Sequence, residues 1–228
     1  MKRKLTLFLM VIFFLSTLTF SLSRKKVVNR LSSSIEVLDE FLNIPESGIP
    51  EKILRNCEAL VVIPHVVKGG FMFGARHGKG IIVHRLPDGR WSNPSFIAIS
   101  GGSFGFQIGG QAVDLILVVN NKRGYRAILS DNFQLSGDMT ATAGPVGRNA
   151  EAGTDIALKA SILSYSRSKG LFAGVSLKGA TLTIDKKANR VFYRKYIDYK
   201  DILNRFFPYP KEVKPLIKLL KPYGGKKR

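Results

Sequence analysis

Residues 57–95, CEALVVIPHVVKGGFMFGARHGKGIIVHRLPDGRWSNPS, decide the fold. Ala59–Ile63, Gly70–Arg76 and Gly80–Leu86 are short runs rich in β-branched and aromatic residues, and their patterning is that of strands. Leu86-Pro87-Asp88-Gly89-Arg90 supplies a Pro-Asp-Gly turn, and Gly69-Gly70 marks a second tight point. Runs this closely spaced leave no room for crossover helices, so the stretch predicts an antiparallel sheet rather than βαβ units.

The pattern continues downstream. Phe104–Ile108 and Val113–Val119 read as strands with Gly109-Gly110 between them. Gly170–Lys178 and Ala180–Asp185 read as two more, with Gly179 between. Tyr125–Ser130 fits one or two helical turns. Residues 136–154, SGDMTATAGPVGRNAEAGT, read as a long loop, and a loop of that length is functional or packed by its own side chains. Asp198–Phe206 reads as a closing helix.

Upstream, residues 27–42 form an amphipathic helix with Leu31, Ile35, Leu38 and Leu42 on one face. That face suits packing on the core or lying on a membrane surface, and the sequence leaves both open. Ile44–Pro50 is a turn-rich joint, and Pro50 then suits the first position of a short helix ending near Cys57. The expected fold class is α+β: mainly antiparallel β-sheet, with curling into a barrel-like sheet left open, and flanking N-terminal and C-terminal helices.

The chain has 228 residues, 36 Lys+Arg against 16 Asp+Glu, and a net charge of +20. This length fits one domain with appendages or two small ones. The charge implies an anionic partner, and nucleic acid and an anionic membrane surface are the two obvious classes. The start of the chain bears on that choice. Lys2, Arg3 and Lys4 precede an apolar run at 5–20, and Ser21-Leu22-Ser23 follows, in outline a secretory signal peptide. Sixteen helical residues reach about 24 Å, short of a membrane core of about 30 Å. The expectation is therefore cleavage after Ser23, export to an extracytoplasmic site (periplasm or secreted), and no nucleic-acid partner. An uncleaved anchor is the alternative, because Arg24, Lys25 and Lys26 follow the run directly and weaken the charge asymmetry across it.

Residues 185–228 hold 14 Lys+Arg and 4 Asp+Glu. Pro208, Pro210, Pro215 and Pro222 break the final stretch, so residues 207–228 read as a basic tail beyond a domain at 24–206. Within it Val213, Leu216, Ile217 and Leu220 share one helical face, and Lys211, Lys214, Lys218 and Lys221 share another. Two turns of such helix are unstable alone in water but gain order on an anionic bilayer.

Chemical signatures are sparse. His65, His77 and His84 lack metal-ligand spacing, so no metal or other cofactor is expected. Gly101–Gly110 has neither the register nor the strand-to-helix context of a nucleotide loop. Ser103 and Ser136 lie in no nucleophile elbow. Asp114, alone in an apolar run, reads as a paired structural carboxylate. The single Cys57 excludes an intrachain disulfide. No catalytic residue is assigned; Asp138, Arg148, Glu151 and Asp155 are the charged candidates should the 136–155 region carry an activity.

Several motifs together carry a resemblance: Ile49-Pro50, CEALVVIP at 57–64, KGGF at 68–71, GKG at 78–80, DGRWSNPS at 88–95, GFQIG at 105–109, AGPVGR at 143–148 and YSRSKGLFAG at 165–174. Their order and spacing resemble the SYLF domain family over residues 28–205, in the form of an exported, bacterial-type member. The resemblance implies lipid binding without catalysis. It implies phosphoinositide binding through the N-terminal amphipathic helix in eukaryotic relatives, and actin binding in fungal ones. Actin is not expected as a partner of an exported chain.

The expected function is non-catalytic binding of anionic phospholipid head groups at the cell envelope. Arg24, Lys25, Lys26, Arg30, Lys211, Lys214, Lys218 and Lys221 would supply attraction. Leu31, Ile35, Leu38, Leu216, Ile217 and Leu220 would insert shallowly. The alternative is a structural envelope protein that binds an anionic polymer or a protein partner.

Overall fold

The computed structural model describes residues 22–43, 48–69, 73–104, 111–130, 133–135, 141–145, 159–168, 171–172 and 177–225. Two helices come first, α1 (Arg24–Leu42) and α2 (Glu51–Asn56). Strands β1 (Ala59–Gly69), β2 (Phe73–His84), β3 (Ser95–Phe104) and β4 (Gln111–Val119) follow, then α3 (Lys122–Ile128). Next come β5 (Phe133–Leu135), β6 (Ala141–Ala143), β7 (Ile162–Ser168), β8 (Leu171–Phe172) and β9 (Ala180–Ile184). The chain closes with α4 (Lys186–Tyr193), α5 (Tyr199–Asn204), a 3₁₀ turn (Lys211–Val213), α6 (Lys214–Leu220) and a last 3₁₀ turn (Lys221–Tyr223).

The strands form one sheet in the order β5-β9-β3-β2-β1-β4-β7-β6, with β8 paired to β7. Every pairing is antiparallel except β6 with β7. The eight strands of the main path curl into a nearly closed, barrel-like sheet with helices at both ends of the chain. The fold is the expected α+β class.

The continuous apolar runs of β1 and β4 follow from burial on both faces. Leu60, Val62, Ile116 and Val118 face α1 in one core, while Ala59, Val61, Leu115 and Leu117 belong to a second core on the opposite face. Tyr125 and Ile128 of α3 and Leu203 of α5 complete that second core. Gly80 is demanded by the close approach of β1 to β2, since a Cβ there would collide with the backbone of Val62.

The Pro-Asp-Gly turn forms as read. Leu86 N–H donates to Arg90 O at 2.7 Å, Gly89 N–H donates to Leu86 O at 2.8 Å, and Gly89 sits at φ +86°. Gly70–Arg76 and Gly80–Leu86 are not separate strands: β2 runs unbroken through Gly78 and Gly80. Strand β3 begins at Ser95, upstream of the expected Phe104–Ile108, and residues 105–108 lie outside the described set. Also outside it are residues 1–21, Ile44–Ser47, Gly109-Gly110 and most of 136–154. Of the expected strand at 170–178, β8 accounts for 171–172, and residues 173–176 are outside the described set as well.

Of the two placements left open for the N-terminal helix, the structure shows packing on the core: Val27, Leu31, Val37, Leu38 and Phe41 are buried. Asp185, the N-cap of α4, binds α1 through Arg30, and Arg167 of β7 pairs with Glu40. One expectation is corrected: residues 207–225 are part of the fold rather than a tail. Val213, Leu216 and Leu220 are buried in the α1-side core. Trp91, itself 2% exposed, donates from Nε1 to Leu220 O at 3.0 Å, and Tyr209 Oη donates to Trp91 O at 2.6 Å. Burial against a preformed surface supplies the stability that two isolated helical turns lack.

A cationic and aromatic cleft

The expected site residues divide by burial. Lys25, Lys26, Lys211, Lys214, Lys218 and Lys221 are exposed. Leu31, Leu38, Leu216 and Leu220 are fully buried, and Ile35 and Ile217 are half-buried against the same core. Shallow membrane insertion by the four leucines is therefore corrected: their faces are already covered, and withdrawing them would open the core. Arg30 is also inward. Its Nη1 donates to Asp185 Oδ2 at 2.9 Å with its side chain 8% exposed, and its guanidinium lies 5.5 Å from the Phe96 ring centroid.

Ser23 caps α1, its Oγ accepting from Lys26 N–H, so the residue read as the end of the cleaved segment also begins the first helix. At this end of α1, Arg24 Nη2 donates to Glu212 Oε1 at 2.7 Å. This bond, with Coulombic attraction from Arg24 and Arg194, holds the Glu212 carboxyl below its usual range. It also joins the start of α1 to the segment that carries Lys211 and Lys214.

A cleft of about 800 Å³ opens beside this junction. One wall is the end of α4 and the residues after it, Phe192 to Lys195 and Ile197. The other runs from Asp201 and Arg205 through Phe206 and Phe207 to Pro210, with Arg24 also facing the space. Asp198 caps α5 through Lys200 N–H and so fixes the second wall. Rings pack in series behind it: Phe192 lies 4.9 Å from Tyr193, and Tyr193 5.9 Å from Phe207. Tyr193 Oη donates to Pro94 O at 2.6 Å, and burial pushes its pKa well above the ordinary phenol value. Four cations and one carboxylate line the space, and Asp201 is bonded to Arg205 at 3.0 Å. Arg194 and Lys195 are exposed and form no ion pair among the described residues.

The sequence reading missed this group. Its signal was the pairing of cations with aromatics at Arg194-Lys195-Tyr196 and Arg205-Phe206-Phe207, hidden within the high overall charge of the C-terminal region.

His84 and His65 have structural roles, and His77 is exposed on β2. His84 is buried, its Nδ1 lies 3.0 Å from Leu203 O, and its ring stacks on Tyr125 at 3.8 Å. His65 N–H donates to Asp114 Oδ1 at 3.0 Å, which gives Asp114 the partner expected of it. Among the described residues no three His, Cys, Asp or Glu side chains gather as a metal site, and no helix is long and apolar enough to cross a membrane. Ser136, Asp138, Arg148, Glu151 and Asp155 lie outside the described residues.

Fold and cleft together define a helix-clad, barrel-like α+β domain with a cationic, aromatic recess. Residues 100–223 match the family model of Ysc84, described as Las17-binding protein actin regulator. The human SH3 domain-containing YSC84-like protein 1 is 39% identical over 197 residues, which are 84% of this chain and 57% of that protein. An SH3 domain-containing protein of Schizosaccharomyces pombe is 41% identical over 175 residues, 75% of this chain and 40% of its own length. Protein YSC84 of Saccharomyces cerevisiae is 37% identical over 175 residues, 75% of this chain and 37% of its own length. The chain belongs to the Ysc84 family, the family of the SYLF domain. It spans little more than half the length of the animal relatives and less of the fungal ones; the human and Schizosaccharomyces pombe relatives are named as SH3 domain-containing proteins.

Proposed function

We propose that the domain binds anionic phospholipid surfaces at the cell envelope without catalysis. The observation that carries this reading is the separation of charge from packing in the C-terminal segment. Lys211, Lys214, Lys218 and Lys221 point outward while Val213, Leu216 and Leu220 are held in the core. The lysines are thus displayed on an ordered scaffold, and no folding of this segment is needed when a surface is met. Each Lys close to an anionic bilayer contributes about 1 kcal/mol, over a range set by the screening length of about 8–10 Å at physiological salt. Export directed by residues 1–23 belongs to the same proposal. Mass spectrometry of the exported protein should find Arg24 at its N-terminus, and an intact Met1 in the membrane fraction would support the anchored form instead.

The second reading is an acidic protein surface. The description of the family model favours it, because it names actin regulation, the partner class that the export signal had set aside. Flotation with phosphatidylserine vesicles and co-sedimentation with filamentous actin separate the two. The lipid reading predicts flotation that weakens with salt and no enrichment in the actin pellet. Pelleting with actin and no flotation would favour the second.

A further inference from the structure

We propose that the cleft between the end of α4 and the Arg205–Pro210 segment holds the phosphate of a membrane lipid head group, with Tyr196 and Phe206 anchored in the lipid interface. This rests on the lipid reading above and assigns it a site.

The charge balance comes first. Arg24, Arg194, Lys195 and Arg205 face one carboxylate, Asp201, which Arg205 already engages. Glu212 engages Arg24 through Nη2, while Arg24 Nε is buried without a hydrogen-bond partner among the described residues. Arg194, whose charge also attracts the Glu212 carboxylate, and Lys195 form no ion pair among the described residues and so have charge to offer whatever enters, and a phosphate supplies both the negative charge and the acceptor oxygens that guanidinium and ammonium groups bind well.

The rim separates a lipid phosphate from a soluble one. Among the described residues three large apolar side chains are exposed: Tyr196 at 74%, Val67 at 52% and Phe206 at 44%. Two of these three flank this cleft. Tyr196 lies between the lining residues Lys195 and Ile197, and Phe206 is itself a lining residue. Phe206 keeps this exposure with the Arg90 guanidinium 3.7 Å from its ring centroid, and Arg90 is itself paired with Asp88 at 2.6 Å, so it steadies the ring without adding free charge at the rim. A soluble phosphate needs only the cations. A lipid phosphate brings an interface beside it, where aromatic side chains have an apolar body to bury and cations remain at the head-group level.

The test uses the whole chain and vesicles of phosphatidylcholine with or without phosphatidylserine. The Arg194→Gln/Lys195→Gln variant should lose about 30-fold in vesicle affinity, the effect of two charges near an anionic surface. Tyr196→Ser should also weaken binding, and that loss should persist at high salt, where charge effects are screened. Both changes are at exposed positions, and unchanged thermal unfolding checks that the fold is intact. Tyr196→Trp adds a reporter: its emission should shift to the blue with anionic vesicles and stay unchanged with inorganic phosphate. If the wild-type chain ignores anionic vesicles, the lipid reading and the cleft assignment both fall. If it binds and both variants bind equally well, the cleft assignment alone is overturned. An equal response of the Trp reporter to inorganic phosphate would overturn the lipid source.

Discussion

Trp91 shows how one side chain closes the molecule. It follows the turn at Leu86–Arg90, the Arg85 guanidinium lies 4.8 Å from its ring centroid, and its indole N–H holds the end of α6. Arg85 in turn donates to Leu54 O and Cys57 O at the end of α2. Trp91→Ala removes the ring and the hydrogen bond that fastens the C-terminal segment, so thermal or denaturant unfolding should report a loss of about 3–5 kcal/mol. An unchanged melting temperature would contradict this placement. Glu212 gives a pH test. Its folded pKa is lowered, chiefly by the Arg24 hydrogen bond, so the stabilisation is present above the unfolded value of about 4.3 and is lost as pH falls through the lower folded value. Titration of the Glu212 carboxyl by NMR should therefore find a midpoint below the ordinary one, and Arg24→Gln should move it upward. Trp91 and its turn were legible in the sequence because Pro-Asp-Gly fixes local geometry. Its partner Leu220, 129 residues away, was not, since no local pattern encodes that pairing.

Among the elements, α1 and α6 were legible as amphipathic helices, but what covers their apolar faces was not. Periodicity identifies a buried face without saying whether a core or a bilayer buries it. The structure assigns both faces to the core, and that assignment predicts the phenotype. Leu31→Ala or Leu38→Ala should cost about 2–5 kcal/mol each, and Leu31→Ser/Ile35→Ser/Leu38→Ser should unfold the domain, as circular dichroism would show. A folded triple variant would contradict the packing of α1. Strand β3 escaped the reading because Ser100-Gly101-Gly102-Ser103 resembles a turn, whereas here small residues allow close packing: a Cβ on Gly101 would meet Gly179 O at 2.9 Å. Strand β7 escaped because ILSYSRS lacks clean alternation, with both faces of its first half buried. Helix α4 is mostly polar and carries a short apolar set, Ala188 and Phe192, whose role depends on Phe96 of β3, 5.2 Å from Phe192.

For the whole molecule, the two-sided sheet explains why the exposed surface carries so much charge. Its apolar side chains go into two cores, and the large positive excess is left outside, where self-repulsion is tolerable and an anionic partner is attractive. The +20 charge was plain in the sequence. The cleft was not, because its walls come together only when α4, α5 and the start of α1 are docked. Replacing Lys211, Lys214, Lys218 and Lys221 by Gln should leave the melting temperature near its original value, since these side chains are exposed. It should remove at most about 4 kcal/mol of attraction to an anionic bilayer, and the difference should shrink as salt rises. The most direct measurement is flotation of the wild-type chain and this quadruple variant with neutral and with phosphatidylserine-containing vesicles. The account predicts that the folded wild type floats with the anionic vesicles only and that the folded variant largely stays behind. Equal flotation with neutral vesicles, or wild type and variant floating alike, would contradict it.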